Sequence, residues 1–322
     1  STIFMYNEVW GFVQDGGEYA VIGSWGGTHI FDVTDPNNVD TTAFIPGAAQ
    51  GTQIIHRDFH DYNGYLYIVA DEGSSTLQIV DLNYLPDSVV IVYDSNSLFS
   101  TSHNIFIDTA TAKLYVCGVR PSWNDLEVYS LADPVNPQFL TAYDMNSFTH
   151  DIYVRNDTAY INDGNSGLFV VDFTNDTTPQ LIASLTSYLQ QGYNHSGWLS
   201  EDGTIYALAD ETFGMDIKML DVSDLSNISV LDTIGSDVHP LSIPHNLIIK
   251  GDFLFASYYN DGLYIFDISD PGNTIITGYY DTSTEPHVQG SYRGAWGVYP
   301  SLPSGIVLIS DMQNGLFVFD VS

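Results

Sequence analysis

Short apolar and aromatic runs alternate along the chain with clusters of turn residues, and one of these runs recurs. It reads His29-Ile30-Phe31-Asp32-Val33-Thr34-Asp35-Pro36, Leu77-Gln78-Ile79-Val80-Asp81-Leu82, Leu126-Glu127-Val128-Tyr129-Ser130-Leu131 and Leu168-Phe169-Val170-Val171-Asp172-Phe173. It continues as Ile217-Lys218-Met219-Leu220-Asp221-Val222, Leu263-Tyr264-Ile265-Phe266-Asp267-Ile268 and Leu316-Phe317-Val318-Phe319-Asp320-Val321. The copies align on Asp32, Asp81, Ser130, Asp172, Asp221, Asp267 and Asp320, which stand 42 to 53 residues apart. β-Branched and aromatic residues ending in a polar turn predict a strand and its exit.

A second strand precedes each copy, as in Tyr65-Leu66-Tyr67-Ile68-Val69-Ala70. A third lies before that, as in Asn104-Ile105-Phe106-Ile107, and a fourth follows, as in Gln138-Phe139-Leu140-Thr141-Ala142-Tyr143. Four strands per repeat at this period predict an all-β, seven-bladed β-propeller forming one domain over residues 1–322. The coils of a parallel β-solenoid, the main alternative, are shorter than these repeats. The last copy ends where an outer strand is due. The segment Thr2-Ile3-Phe4-Met5-Tyr6 is expected to supply that strand and close the ring, which removes open edges.

The chain has 7 Lys+Arg against 40 Asp+Glu, a formal net charge of −33. That excludes the basic footprint needed for nucleic acid and disfavours an anionic membrane surface. No apolar stretch reaches membrane-spanning length, so no direct insertion is expected. Cys117 is the only cysteine, which excludes an internal disulfide and a cysteine zinc cluster, and its apolar surroundings make it a core residue.

Counting back from each copy picks out one position at the start of the innermost strand: Trp10, Arg57, His103, His150, His195, His245 and Trp296. Small or polar residues follow, including Asp58 and Asp151. Innermost strands line a propeller's channel, so these residues are expected on one rim. The same face carries the polar loops Asp71-Glu72-Gly73, Asn162-Asp163-Gly164-Asn165, Asp210-Glu211-Thr212, Asn260-Asp261-Gly262 and Asp311-Met312-Gln313-Asn314-Gly315.

Neutral imidazoles from successive blades suit a transition metal, which makes His103, His150, His195 and His245 candidate ligands. They serve equally as metal-free ligand-binding groups or as hydrogen bonders that order the channel mouth. Asp151 and Asp58 could orient an imidazole, accept from a sugar hydroxyl, or cap a turn. Asp210-Glu211 reads as an acid/base or metal pair, or as a solvated turn, since neighbours on a strand face opposite ways unless the strand ends first. The acidic loops Asp35-Pro36-Asn37-Asn38-Val39-Asp40 and Asp163-Gly164-Asn165 offer oxygens for structural calcium without matching a full calcium loop. Trp10, Arg57 and Trp296 could stack on and pair with a sugar or carboxylate, or simply pack near the ring junction. There is no phosphate loop, no Gly-x-Ser-x-Gly and no His-Glu-x-x-His.

The repeat, together with Asn7-Glu8-Val9-Trp10-Gly11, His103-Asn104-Ile105, Thr149-His150-Asp151, His195-Ser196-Gly197-Trp198-Leu199, His245-Asn246-Leu247 and Gly294-Ala295-Trp296, resembles the choice-of-anchor B family. The resemblance implies a secreted bacterial propeller with LVIVD-type repeats, held at the cell surface through a C-terminal anchor. This chain is read as lacking that anchor or sorting domain after Ser322. The leading expectation is a non-enzymatic extracellular module that binds a glycan, peptide or surface-protein partner through one face. The alternatives are a metal-dependent enzyme at the histidine ring, with Asp151 or Asp210 assisting, and a structural spacer of a surface assembly.

Overall fold

A computed structural model describes residues 5–145, 147–283 and 285–321. The sequential strands form seven antiparallel sheets, each with its strands in chain order, arranged as the blades of a seven-bladed β-propeller. The innermost strands are Tyr6–Gln14, Arg57–Tyr62, Asn104–Asp108, Asp151–Arg155, Asn194–Leu199, Ile243–Lys250 and Ala295–Tyr299. Six sheets have four strands, and the seventh has three among the described residues. The expected closing strand falls largely on Thr2-Ile3-Phe4, which lie outside the described residues. The residues that follow do reach the last blade: the Met5 and Tyr6 amides both donate to the Met312 carbonyl.

Ring closure is also made by packing. Val9, Ala20 and Val33 of the first blade share an apolar cluster with Leu302, Ile306 and Leu308 of the last. Each recurring run is the third strand of its blade, for example Leu168–Asp172 and Ile217–Asp221. Its apolar residues are sandwiched between blades, and its terminal Asp turns outward. The Asp172, Asp221 and Asp267 carboxylates each accept the backbone amide two residues on, at 2.8–2.9 Å. The repeated Asp therefore caps the exit turn, a local side-chain substitute for a backbone turn bond. Cys117 is fully buried, and burial raises its thiol well above the usual range.

Candidate functional site

In a regular strand successive side chains face opposite ways, so every second residue of an innermost strand points at the axis. Two axial layers follow from this rule. One contains Glu8, Asp58, Asn104, Asp151, Ser196 and Asn246, and the next contains Trp10, His60, Phe106, Tyr153, Trp198 and Tyr299. The histidines form a further layer above the carboxylates, which simple alternation does not allow for adjacent pairs such as His195 and Ser196. Strand irregularities resolve this. The ladders of the fifth and sixth blades shift register between Asn194 and Ser196 and between Pro244 and Leu247. In the third blade the His103 amide donates to Cys117 O, the residue already paired with Asn104; His150 and Asp151 share Asn162 in the same way. Two residues opposing one is the geometry of a bulge, which re-aims a side chain.

The result is a closed circuit of rings at the upper mouth. Ring centroids are 4.2 Å apart for His56–His103, 4.2 Å for His103–His150, 4.0 Å for His150–His195 and 4.1 Å for His195–His245. Trp296 completes it, 4.6 Å from His245 and 5.7 Å from His56. His103, His150, His195, His245 and Trp296 thus come together at one rim.

Trp10 and Arg57 do not join them. The position of the first blade equivalent to His103 is Asn7, which directly precedes Glu8 in the carboxylate layer. Trp10 stands in the aromatic layer beyond the carboxylates, its indole N–H donating to Asp61 Oδ1 at 2.8 Å. Arg57 occupies the expected strand position, but its blade lacks the bulge and Arg57 pairs regularly with Ala70. Alternation therefore turns its side chain away from the axis into a buried slot. There its guanidinium donates to Ser24 O (2.8 Å) and Ala49 O (2.7 Å) and packs against Gly47. His56, two residues before Asp58 and on the same side, takes the vacated place. Reading the two-residue alternation back from Asp58 would have found it.

The rim imidazoles are held from behind. His103 Nδ1 donates to Asp71 Oδ2 (2.8 Å), His150 Nδ1 to His195 O (3.0 Å), and His245 Nδ1 to Trp296 O (2.6 Å). Anchoring Nδ1 in this way fixes the tautomer and presents Nε2 to the opening. The Nε2 atoms of His103 and His150 are 2.8 Å apart. Two lone pairs at that distance repel, so the contact requires a proton or a cation between them. Burial, and then the neighbouring imidazoles, lower His56, His150 and His195 well below the ordinary histidine value. His245 falls to about 3, chiefly through burial. These rings are neutral near pH 7 and keep their lone pairs.

Asp210 and Glu211 separate because the strand Ile205–Asp210 ends between them. Asp210 points between blades, 2.5 Å from Lys218 Nζ and 2.8 Å from the Tyr188 hydroxyl that donates to it. Glu211 swings to the mouth, where it accepts from Tyr259 Oη at 3.0 Å. Its two oxygens stand 3.9 Å from His195 Nε2 and 4.0 Å from His245 Nε2. Burial raises it to about 7. Among the described residues, His150, His195 and Glu211 offer three potential ligand atoms within 4.8 Å of one another.

Below the rim, Asp58 and Asp151 line a cavity of about 70 Å³ together with Glu8. Burial raises Asp58 to about 8 and Asp151 to about 7. Each accepts a backbone amide at 2.7 Å, Asp58 from Ile105 and Asp151 from Ile152. The acidic loop at Asp35 is closed on itself: Asp35 Oδ1 accepts the Asn37 amide at 3.0 Å, and Asn38 Nδ2 donates to Asp40 Oδ2 at 3.4 Å. Asp163 accepts from the Ser147 hydroxyl.

The LVIVD repeat family matches residues 148–187 and 244–282, which span the fourth- and sixth-blade copies. No curated protein matches the sequence. Among solved structures, a Lactobacillus plantarum protein superposes with a TM-score of 0.70 at 14% identity, covering 98% of this chain and 93% of that one. The periplasmic gluconolactonase PpgL of Pseudomonas aeruginosa gives 0.69 at 13% identity, covering 99% and 92%. At such identities the likeness speaks for the fold alone. The chain is a seven-bladed β-propeller, and its fourth and sixth blades match the LVIVD repeat.

Proposed function

We propose that this protein is a metal-dependent enzyme whose reaction centre is the histidine-lined mouth. His150, His195 and Glu211 form the core ligand set, with His103 and His245 beside them. One observation carries this reading: the ligand atoms of His150, His195 and Glu211 lie within 4.8 Å of one another, and the His150 Nδ1 is tied outward, which leaves its Nε2 for the ion. Two histidines and a carboxylate leave coordination positions open for water and substrate, the pattern of hydrolytic zinc and non-haem iron(II) sites. Such an ion polarises a carbonyl and supplies hydroxide near neutral pH. Asp71 strengthens His103 as a donor through their hydrogen bond. The acidic loops around the rim select against anionic substrates, so a neutral polar substrate fits best.

The test is metal analysis of natively purified protein together with titration by Zn²⁺ and Fe²⁺. About one equivalent is expected, lost in His150→Ala/His195→Ala and weakened in Glu211→Gln. Absence of stoichiometric metal in both experiments overturns the reading.

A second reading is an extracellular, cell-surface module of the choice-of-anchor B type that binds a glycan, peptide or surface protein through the same face. Trp296 favours it: the indole is half-buried at the rim, 4.6 Å from His245, as a stacking platform would be. Trp296→Ala would then abolish retention on a glycan or cell-wall array without changing metal content.

A further inference from the structure

The opposite mouth of the channel carries its own concentrated chemistry. Trp10, His60, Phe106, Tyr153, Trp198 and Tyr299 line a bowl of about 330 Å³. Their rings are in continuous contact: Trp10–Tyr299 at 4.8 Å, Trp10–His60 at 4.4 Å, His60–Phe106 at 5.1 Å, Phe106–Tyr153 at 5.3 Å and Tyr153–Trp198 at 4.9 Å. This layer is directly axial to the carboxylates because Glu8 and Trp10, Asp58 and His60, and Asp151 and Tyr153 are i and i+2 pairs on single strands. The separation is about 6.6 Å along the strand. Trp10, His60, Phe106 and Trp198 line both the bowl and the cavity that holds Glu8, Asp58 and Asp151. Those three carboxyl groups have no ion-pair partner among the described residues.

We propose that this aromatic bowl binds a small organic cation of the methylated-ammonium type, held by the ring faces with the carboxyl groups of Glu8, Asp58 and Asp151 behind them. Charge complementarity makes the choice. Aromatic faces attract cations, most strongly where water is displaced, and cages of such rings suit quaternary ammonium groups. One cation already lies at this face: the Arg155 guanidinium is 5.5 Å from the Tyr153 centroid and donates to the Tyr153 hydroxyl from Nε (3.1 Å) and Nη2 (2.7 Å). Arg155 is itself tethered at the edge by Glu201 O and Leu199 O.

The polar atoms level with the rings are largely spent. Asp61 Oδ1 accepts from the Trp10 indole, and Asp108 accepts from the Ala110 amide, the Thr111 hydroxyl and the Asp157 amide. A primary ammonium or a sugar would need such acceptors, whereas a methylated ammonium needs only π surface. The bowl is separate from the histidine rim, so this inference stands whether or not the rim holds a metal.

Choline and 3,3-dimethylbutan-1-ol have the same shape and differ in charge, so the pair isolates the cation. Calorimetry and quenching of tryptophan fluorescence should report choline binding at least tenfold tighter than the neutral alcohol. Trp198→Leu should weaken choline binding about tenfold or more, and Trp198→Phe, which keeps a ring, should retain most of it. Measured at pH 9, where the Asp58 carboxyl has lost its proton, Asp58→Asn should weaken choline alone, and His150→Ala/His195→Ala should leave choline binding unchanged. The inference is overturned if choline does not bind at 10 mM, if the alcohol binds equally well, or if Asp58→Asn and folded Trp198→Leu both bind choline as wild type does.

Discussion

Asp58 carries a pH-dependent cost that one substitution should remove. Its carboxyl is 7% exposed, lies in the axial layer with Asp151 and Glu8, and is raised by burial to about 8. In the unfolded chain it titrates near 3.9. The folded state therefore holds a proton that the unfolded state has released, across the interval from about pH 4 to about pH 8. Stability falls wherever the native state binds more protons. The contribution is whole below pH 4 and is lost as pH rises through 8. Each unit within the window costs about 1.4 kcal/mol, so the step from pH 5 to pH 7 removes about 3 kcal/mol through this group.

Asp58→Asn keeps the shape and can still accept the Ile105 amide, which now bonds Asp58 Oδ2 at 2.7 Å. It has no charge to bury. Urea unfolding of wild type and variant at pH 5 and pH 7, in chelator and without added ammonium compounds, measures the difference. The variant should gain about 2–3 kcal/mol on wild type between the two pH values. Stability curves that run parallel across the window would refute the reasoning.

Lys218 and Asp210 are both fully buried and 2.5 Å apart, so Lys218→Met strands a carboxylate and should cost about 3–5 kcal/mol in chemical denaturation. Replacing Asp210 by Leu in the same chain should recover much of that loss. Gly197 is pinned under the Tyr206 ring, which a β-carbon would approach at 2.4 Å; Gly197→Ala should lower stability by about 1–3 kcal/mol in the same assay. His56 stacks on His103 but lies outside the core ligand set, so His56→Ala should keep stoichiometric zinc by elemental analysis where His150→Ala/His195→Ala loses it.

The repeat was legible as sequence because each blade needs the same object: an apolar third strand sandwiched between neighbours and an Asp that caps its exit. Asp172, Asp221 and Asp267 do the same local work, so they recur at the same place. The four histidines were legible for a related reason, since a repeat position becomes a ring position once blades surround an axis. The period alone thus determined the blade number, the strand order and the side of the channel on which His103, His150, His195 and His245 meet.

Tertiary structure decided where each side chain points. A bulge lets His195 and Ser196 both reach the axis; its absence in the second blade turns Arg57 into a backbone-lined slot and puts His56 in its place. A strand ending one residue early sends Glu211 to the histidines and leaves Asp210 with Lys218. Trp10, three residues from the rim position of its blade, belongs to the other mouth. Periodicity records how often a residue recurs, but a one-residue slip in a strand reverses the face it presents, and only the hydrogen-bond register of the folded sheet resolves that.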